Sequence, residues 1–190
     1  MVKITGKKLV KKKKNWIAVY GSNDYENLFL GETLGEKPED LMGRVIEANL
    51  GEIIRDMKRQ NVKLLFKVNE IKDGKVKADV IGYEIMPGYL RRAVRKNKNE
   101  MDDSFLCKTK DGIMLRVKPL MMTRTRTNKA LLSVIRKKGR EIITNEMANV
   151  TYYEAINYIV SYNLQKLLRE KIKKIHPLSV CEIRVMERVS

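Results

Sequence analysis

One histidine and two cysteines are the only imidazole and thiol side chains in this chain of 190 residues. Cys107 and Cys181 lie far apart and form no C-x-x-C pair. A structural zinc site needs about four closely spaced nitrogen or sulfur ligands, and none can be assembled here. The thiols are therefore expected to be free and buried in a reducing cytoplasm. A Ser-His-Asp or Cys-His site could form only around His176. That residue precedes Pro177 at the end of a helical pattern, where an imidazole ordinarily serves the helix C-terminus. Convergent carboxylates for a metal-dependent nuclease are missing too: Asp102-Asp103 sits amid lysines, no third ligand is marked, and the pair reads as a solvated turn. There is no Walker lysine loop and no G-x-G-x-x-G, so no cofactor and no catalytic motif is expected. Aromatic residues make up 6% of the chain, which argues against a base-stacking sheet of the single-strand-binding kind. No apolar run approaches ~18 residues, and the lysine-rich start is not followed by a hydrophobic core, so neither a membrane span nor a secretion leader is expected.

What the chain has in excess is positive charge: 40 lysines and arginines against 23 acids, a net of +17. The distribution is uneven. Residues 36–86 carry 10 cations and 10 acids, whereas residues 87–150 carry 16 and 6. Scattered solubilising charge would not concentrate in this way, and the pattern favours one electropositive face. Its centre is the stretch from Arg116 to Arg140, with nine cations and no acid. It begins with strand-like alternation, turns at Thr127-Asn128 and continues with helical spacing. A second basic block, Met1–Lys14, holds seven lysines and no acid. Such a block repels itself and is expected to order only when phosphates neutralise it.

The size predicts one domain, or one domain with an appendage, able to bury roughly 70% of its unfolded surface without disulfides or metal. Trp16–Tyr20 is rich in β-formers, Leu28–Leu30 is a short extended piece, Pro38–Leu41 reads as one helical turn, and Arg44–Leu50 returns to strand character. Two Asp-Gly turns, Asp73-Gly74 and Asp111-Gly112, each join alternating segments and predict hairpins. Between the hairpins, residues 87–98 carry helical spacing behind Pro87. Asn128 is a plausible N-cap for a helix in which Gly139 would allow a bend, and Thr151-x-x-Glu154 is a capping box. Ser161-Tyr162-Asn163 should interrupt the helix that follows, and residues 180–189 alternate as a last strand. The expected class is α+β, mainly an antiparallel β-barrel of about six or seven strands with a short basic helix and a C-terminal helical arm returning to a final strand. Its parts would be a tail over 1–14, a barrel over 15–127 with an inserted helix at 87–98, and an arm over 128–190 in the same unit.

Nucleic-acid binding follows from where the cations fall. Arginine and lysine pair with phosphates, and arginine also stacks on exposed bases. The candidates are Lys7, Lys8, Lys11, Lys12, Lys13 and Lys14 in the tail, and Arg91, Arg92, Arg95, Lys96 and Lys98 on the basic helix. At the corner they are Arg116, Lys118, Arg124 and Arg126, whose spacing of two places them on one strand face if the strand persists. Lys129, Arg136, Lys137, Lys138 and Arg140 follow on the next helix. Few aromatics and many cations favour backbone and shape recognition of folded RNA over sequence readout. Tyr152, Tyr153, Tyr158 and Tyr162 fall mostly near the apolar helix stripe and read as core.

Four stretches in register carry a family resemblance: Lys14-Asn15-Trp16; Leu41-Met42-Gly43-Arg44-Val45-Ile46-Glu47-Ala48-Asn49-Leu50; Lys108-Thr109-Lys110-Asp111-Gly112-Ile113-Met114-Leu115-Arg116-Val117; and Ile175-His176-Pro177-Leu178. In this order and spacing the chain resembles the small-ribosomal-subunit protein family S-one-e, also called S-three-A-e, over residues 14 to 189. The resemblance implies a non-catalytic cytoplasmic ribosomal protein on the platform of the small subunit. It would bind the 3′ part of the small-subunit rRNA near the mRNA exit, beside other platform proteins, with mRNA as a further candidate partner. It also implies a β-barrel with attached helices. Lacking the long tail of eukaryotic members, the chain is expected to be archaeal. The competing readings are an RNA-processing or RNA-modifying enzyme acting on structured RNA, disfavoured by the missing catalytic constellation, and a peripheral membrane protein, disfavoured by the small apolar face of residues 87–99.

Overall fold

The computed structural model describes residues 14–22, 25, 28–72 and 75–189. Among the described residues nine strands and five α-helices follow one another along the chain. The strands are β1 (Asn15–Gly21), β2 (Phe29–Gly35), β3 (Val45–Asn49), β4 (Val62–Lys72), β5 (Lys75–Ile85), β6 (Glu100–Asp102), β7 (Phe105–Lys108), β8 (Met114–Thr123) and β9 (Leu178–Arg188). Helix α1 (Leu50–Ile54) follows β3, and α2 (Pro87–Ala93) separates β5 from β6. Helices α3 (Lys129–Asn149), α4 (Tyr152–Val160) and α5 (Asn163–Lys173) lie between β8 and β9. The chain divides into two compact units: the described residues within Met1–Ile46 with Lys67–Asp79, and Glu47–Phe66 with Val80–Ser190. The long strands β4 and β5 contribute to both.

In the first unit β1 pairs antiparallel with β2, from Asn15 opposite Gly35 to Tyr20 opposite Phe29. Its other edge pairs in parallel with β5, Val19 opposite Val76 and Gly21 opposite Ala78. Val19, Leu41, Val68, Val76 and Ala78 form its core. The second unit is built on the antiparallel pair β8–β9, with β6 and β7 both on the far edge of β8. Pro119 has no N–H to give a ladder. The β8–β9 register shifts between Lys118 and Pro119, just where β8 passes from β7 to β6. Helix α3 packs on β7 and on α5, and α5 packs on β9. Ile135, Ile143, Met147, Ile156, Leu168 and Ile172 enclose a core with Met121, Cys181 and Met186.

The expected antiparallel barrel is not what forms. The sheet is mixed and open: its path runs β2-β1-β5-β9-β8-β6, with β3 attached through β4, and the ends β2 and β6 do not pair. Closure requires the last strand to bond the first. Hairpin signals identify strands and their sequential partners, but the parallel β1–β5 pair joins strands that are not sequential and leaves no local signature. The expected helix at 87–98 is also shorter. Val94 is already extended after α2, and Asn97 takes a left-handed φ of 64°, so the chain turns toward β6. Gly139 does not interrupt the 21 residues of α3. It is buried, and its missing side chain makes room for the Met121 methyl group, 3.1 Å from where a Cβ would stand.

Candidate nucleic-acid interface

The tail candidates Lys7, Lys8, Lys11, Lys12 and Lys13 lie outside the described residues; Lys14 is exposed just before β1. The other candidates all belong to the second unit. Pro87 starts α2 at a position where its missing N–H is not needed, and Arg91 and Arg92 occupy the last turn. Arg95, Lys96 and Lys98 fall in the loop beyond it rather than on the helix. Arg92, Arg95 and Lys98 line an open cleft together with Asn61 and Tyr89 and with Ser179 and Val180 at the start of β9. Arg92 donates to the Asn61 Oδ1 at 3.3 Å.

The corner differs from the expected continuous strand. Regular pairing ends at Thr123, and residues 124–128 are irregular. Asn99 pins this loop: its N–H donates to the Thr123 Oγ1 at 3.0 Å, and its Oδ1 accepts from the Thr127 N–H at 2.7 Å. The Arg124 N–H donates to the Pro177 carbonyl at 3.0 Å, beside a 3.5 Å approach of Thr125 Oγ1 to His176 Nε2. Arg124 and Arg126 are exposed from a loop fastened at both ends, not from a strand face. Asn128 then caps α3, accepting from the Leu131 N–H at 2.9 Å. Lys129, Arg136, Lys137, Lys138 and Arg140 are exposed along α3.

Some candidates are committed to acids. Arg116 stands opposite Glu187 in the β8–β9 register and reaches it at 3.3 Å, while Lys118 approaches the same oxygen at 3.5 Å. Lys138 pairs with Glu141 at 3.1 Å and Arg140 with Asp103 at 2.9 Å. Asp102 pairs with Arg184 at 3.0 Å, so the two adjacent acids are cation partners rather than a merely solvated turn. Arg91, Arg95, Lys96, Lys98, Arg124, Arg126, Lys129, Arg136 and Lys137 make no ion pair with another described residue. The charge-balanced stretch behaves differently: Lys63 lies between Glu47 at 2.9 Å and Glu84 at 3.4 Å. Uncompensated cations held on fixed elements raise the local potential and recruit anions.

Sequence reasoning missed a second feature beside the cleft. A cavity of about 310 Å³ shares Asn61 and Tyr89 with it. Buried Val62, Tyr83, Ile85 and Glu182 line its interior, with exposed Lys58 and Lys166 and half-buried Arg59, Tyr89 and Tyr162 around them. Burial pushes the Glu182 carboxyl up to about 7, against the opposing pull of the Arg59 guanidinium. The Tyr162 hydroxyl donates to the Glu182 Oε1, and Arg59 lies over the Tyr162 ring at 5.5 Å. Burial likewise raises the Tyr83 and Tyr89 phenols. Tyr162 leaves the helix stripe because it takes a left-handed φ of 70° between α4 and α5. The helix-weak Ser161-Tyr162-Asn163 was the one signal for that.

Both cysteines are free and buried, and burial lifts their thiols to about 11 at Cys107 and about 12 at Cys181. They are packing residues, not nucleophiles. Among the described residues no group of three or more metal-ligating side chains converges, and no helix is long and apolar enough to cross a membrane.

The model of the Ribosomal S3Ae family matches residues 6–190. A small ribosomal subunit protein eS1 from Desulfurococcus amylolyticus is 33% identical over 172 residues, covering 90% of this chain and 81% of its own. The protein of the same name from Methanothrix thermoacetophila is 31% identical over 176 residues, with 93% and 83% covered. That of Nanoarchaeum equitans is 26% identical over 166 residues, with 87% and 84% covered. The chain thus belongs to the Ribosomal S3Ae family, whose members are structural proteins of the ribosome and not enzymes.

Proposed function

We propose that the protein is a structural constituent of the small ribosomal subunit, holding rRNA through phosphate contacts from the basic surface of its second unit. The carrying observation is the set of exposed cations without an acidic partner among the described residues, held by α2, the 124–128 loop and α3. Relatives named as small-subunit proteins support the assembly and hence a cytoplasmic location in the ribosome. Their archaeal sources support an archaeal origin. Family resemblance supports a site on the platform near the mRNA exit, contact with the 3′ part of the rRNA and with neighbouring platform proteins, and a supporting role in translation. Trp16 and Leu34, opposite each other on β1 and β2 and exposed by 66% and 41%, support a protein neighbour as well.

The test is incorporation. Small subunits lacking the protein are mixed with variants and sedimented through a high-salt gradient. Reversing Arg124 and Arg126 to glutamate should lower recovery in the particle more than reversing Lys75 and Lys77. On isolated rRNA fragments, about six phosphate contacts would make log K fall with log salt at a slope of roughly −4 to −5. Equal effects of the two reversals, or a slope near zero, would reject the assigned surface.

A further inference from the structure

We propose that the cavity between Glu182 and Tyr89 receives one unstacked RNA base carrying an exocyclic amino group on its pairing edge, as cytosine does, while the flanking phosphates lie in the adjoining basic cleft. The pocket matters only if the basic surface meets RNA, as proposed above.

Polarity within the cavity sets the orientation of the occupant. Its interior is apolar and phenolic except for one carboxylate, and the exposed residues around it are lysines. A phosphate directed inward would meet Glu182, and a cationic side chain would have to pass Lys58, Lys166 and Arg59. A nucleotide entering base first meets neither penalty. Glu182 has one oxygen engaged by the Tyr162 hydroxyl, which leaves Oε2 to accept from an amino group. Carboxylates accept from the N4 amino group of cytosine, whereas uracil presents a carbonyl at that position and would oppose two acceptors. Half-buried Tyr89 and Tyr162 line the cavity, with Arg59 over one face of Tyr162, and offer aromatic surface of the kind that receives a base drawn out of a single strand.

Size and continuity agree. About 310 Å³ is at the lower end of small-ligand pockets, roughly 300–1,000 Å³. Asn61 and Tyr89 line both the cavity and the cleft that holds Arg92, Arg95 and Lys98. A strand whose phosphates follow those three cations therefore passes the mouth of the pocket. Few aromatics in the chain argued against a stacking sheet, and a single pocket needs only two.

The experiment compares fluorescein-labelled hexamers of cytidine and of uridine, bound to the full-length protein at mildly alkaline pH, where the Glu182 carboxyl is ionised. The expected preference for the cytidine hexamer is about fivefold or more, the lower end of what one well-formed base contact supplies. E182Q should bring the two affinities together, and Tyr89→Ala should do the same at a half-exposed site that does not threaten folding. R92E combined with R95E should weaken both hexamers alike. If the wild type binds both equally and E182Q changes nothing, while R92E/R95E still weakens both, the pocket is not a base site although the RNA surface stands. If neither hexamer binds in a salt-dependent way, the RNA reading itself falls. Binding of tetralysine that E182Q abolishes would make the pocket a protein-docking site and overturn the proposal.

Discussion

The Arg140 guanidinium donates from one nitrogen to both carboxylate oxygens of Asp103, at 3.0 and 2.9 Å. The same group lies over the Phe105 ring at 5.3 Å. This fixes α3 to the link between β6 and β7, and it separates Arg140 from its neighbours Arg136 and Lys137, which have no such partner among the described residues.

The pair should couple measurably. Asp103 is mostly buried and Arg140 about half exposed, so a double-mutant cycle of D103A and R140A should give about 0.5–1 kcal/mol, the upper part of the range for surface ion pairs. Since Arg140 is already engaged, R140E should weaken RNA binding less than R136E or K137E. A coupling near zero, or an R140E effect as large as the others, would mean that Asp103 releases the guanidinium to phosphate.

Much of the local structure was legible because its signals are local. Asp111-Gly112 turned β7 into β8, Asn128 capped α3, and the Thr151–Glu154 box formed with the Thr151 N–H donating to the Glu154 carboxylate at 2.8 Å. The cations of residues 87–150 could be counted, but not their compensation. Glu187 neutralises Arg116 and Lys118 only through the β8–β9 register, and Asp103 meets Arg140 across 37 residues. The open sheet was hidden for the same reason, since a parallel partner is chosen by tertiary packing. So was the cavity: Arg59 comes from a turn before β4, Tyr89 from α2, Tyr162 from the α4–α5 link and Glu182 from β9. No window of sequence contains two of these residues with a shared pattern.

Two buried glycines should respond to alanine with opposite signs. At Gly139 the new methyl group would approach the Met121 Cε at 3.1 Å and Sδ at 3.5 Å, the far end of a flexible side chain. A gain of about 0.8–1 kcal/mol in helix propensity should roughly match or exceed that adjustment. At Gly51 in α1 the methyl group would meet the Gln60 Cα and N at 3.0 Å and the Asp56 carbonyl at 3.1 Å, all backbone. Overpacking against backbone costs about 1–3 kcal/mol. Urea unfolding should show G139A unchanged or slightly more stable and G51A clearly less stable. A large loss in G139A would show that Met121 cannot move.

Glu182 should make folding stability depend on pH in the direction opposite to a surface carboxylate. In the unfolded chain its carboxyl ionises near the ordinary value of 4.5, and in the folded chain near about 7, because burial disfavours the charged form. Between those values the folded protein keeps a proton that the unfolded chain has released. Stability from this group is therefore complete below the lower value, declines as pH rises through the window, and levels off above the upper one. The ceiling on the loss is about 3 kcal/mol, at about 1.4 kcal/mol per pH unit. In E182Q the side chain cannot titrate, and its amide oxygen can still accept from the Tyr162 hydroxyl. Urea unfolding of both proteins across the window isolates the effect as a difference, with other ionisable groups cancelling. The wild type should lose ground to E182Q as pH rises, and parallel curves would mean that Glu182 is hydrated enough to ionise at its ordinary value. Removing the opposing cation in Arg59→Ala should move the decline to higher pH, an upward displacement that loss of the Arg59 contact to the Val160 carbonyl would not by itself produce.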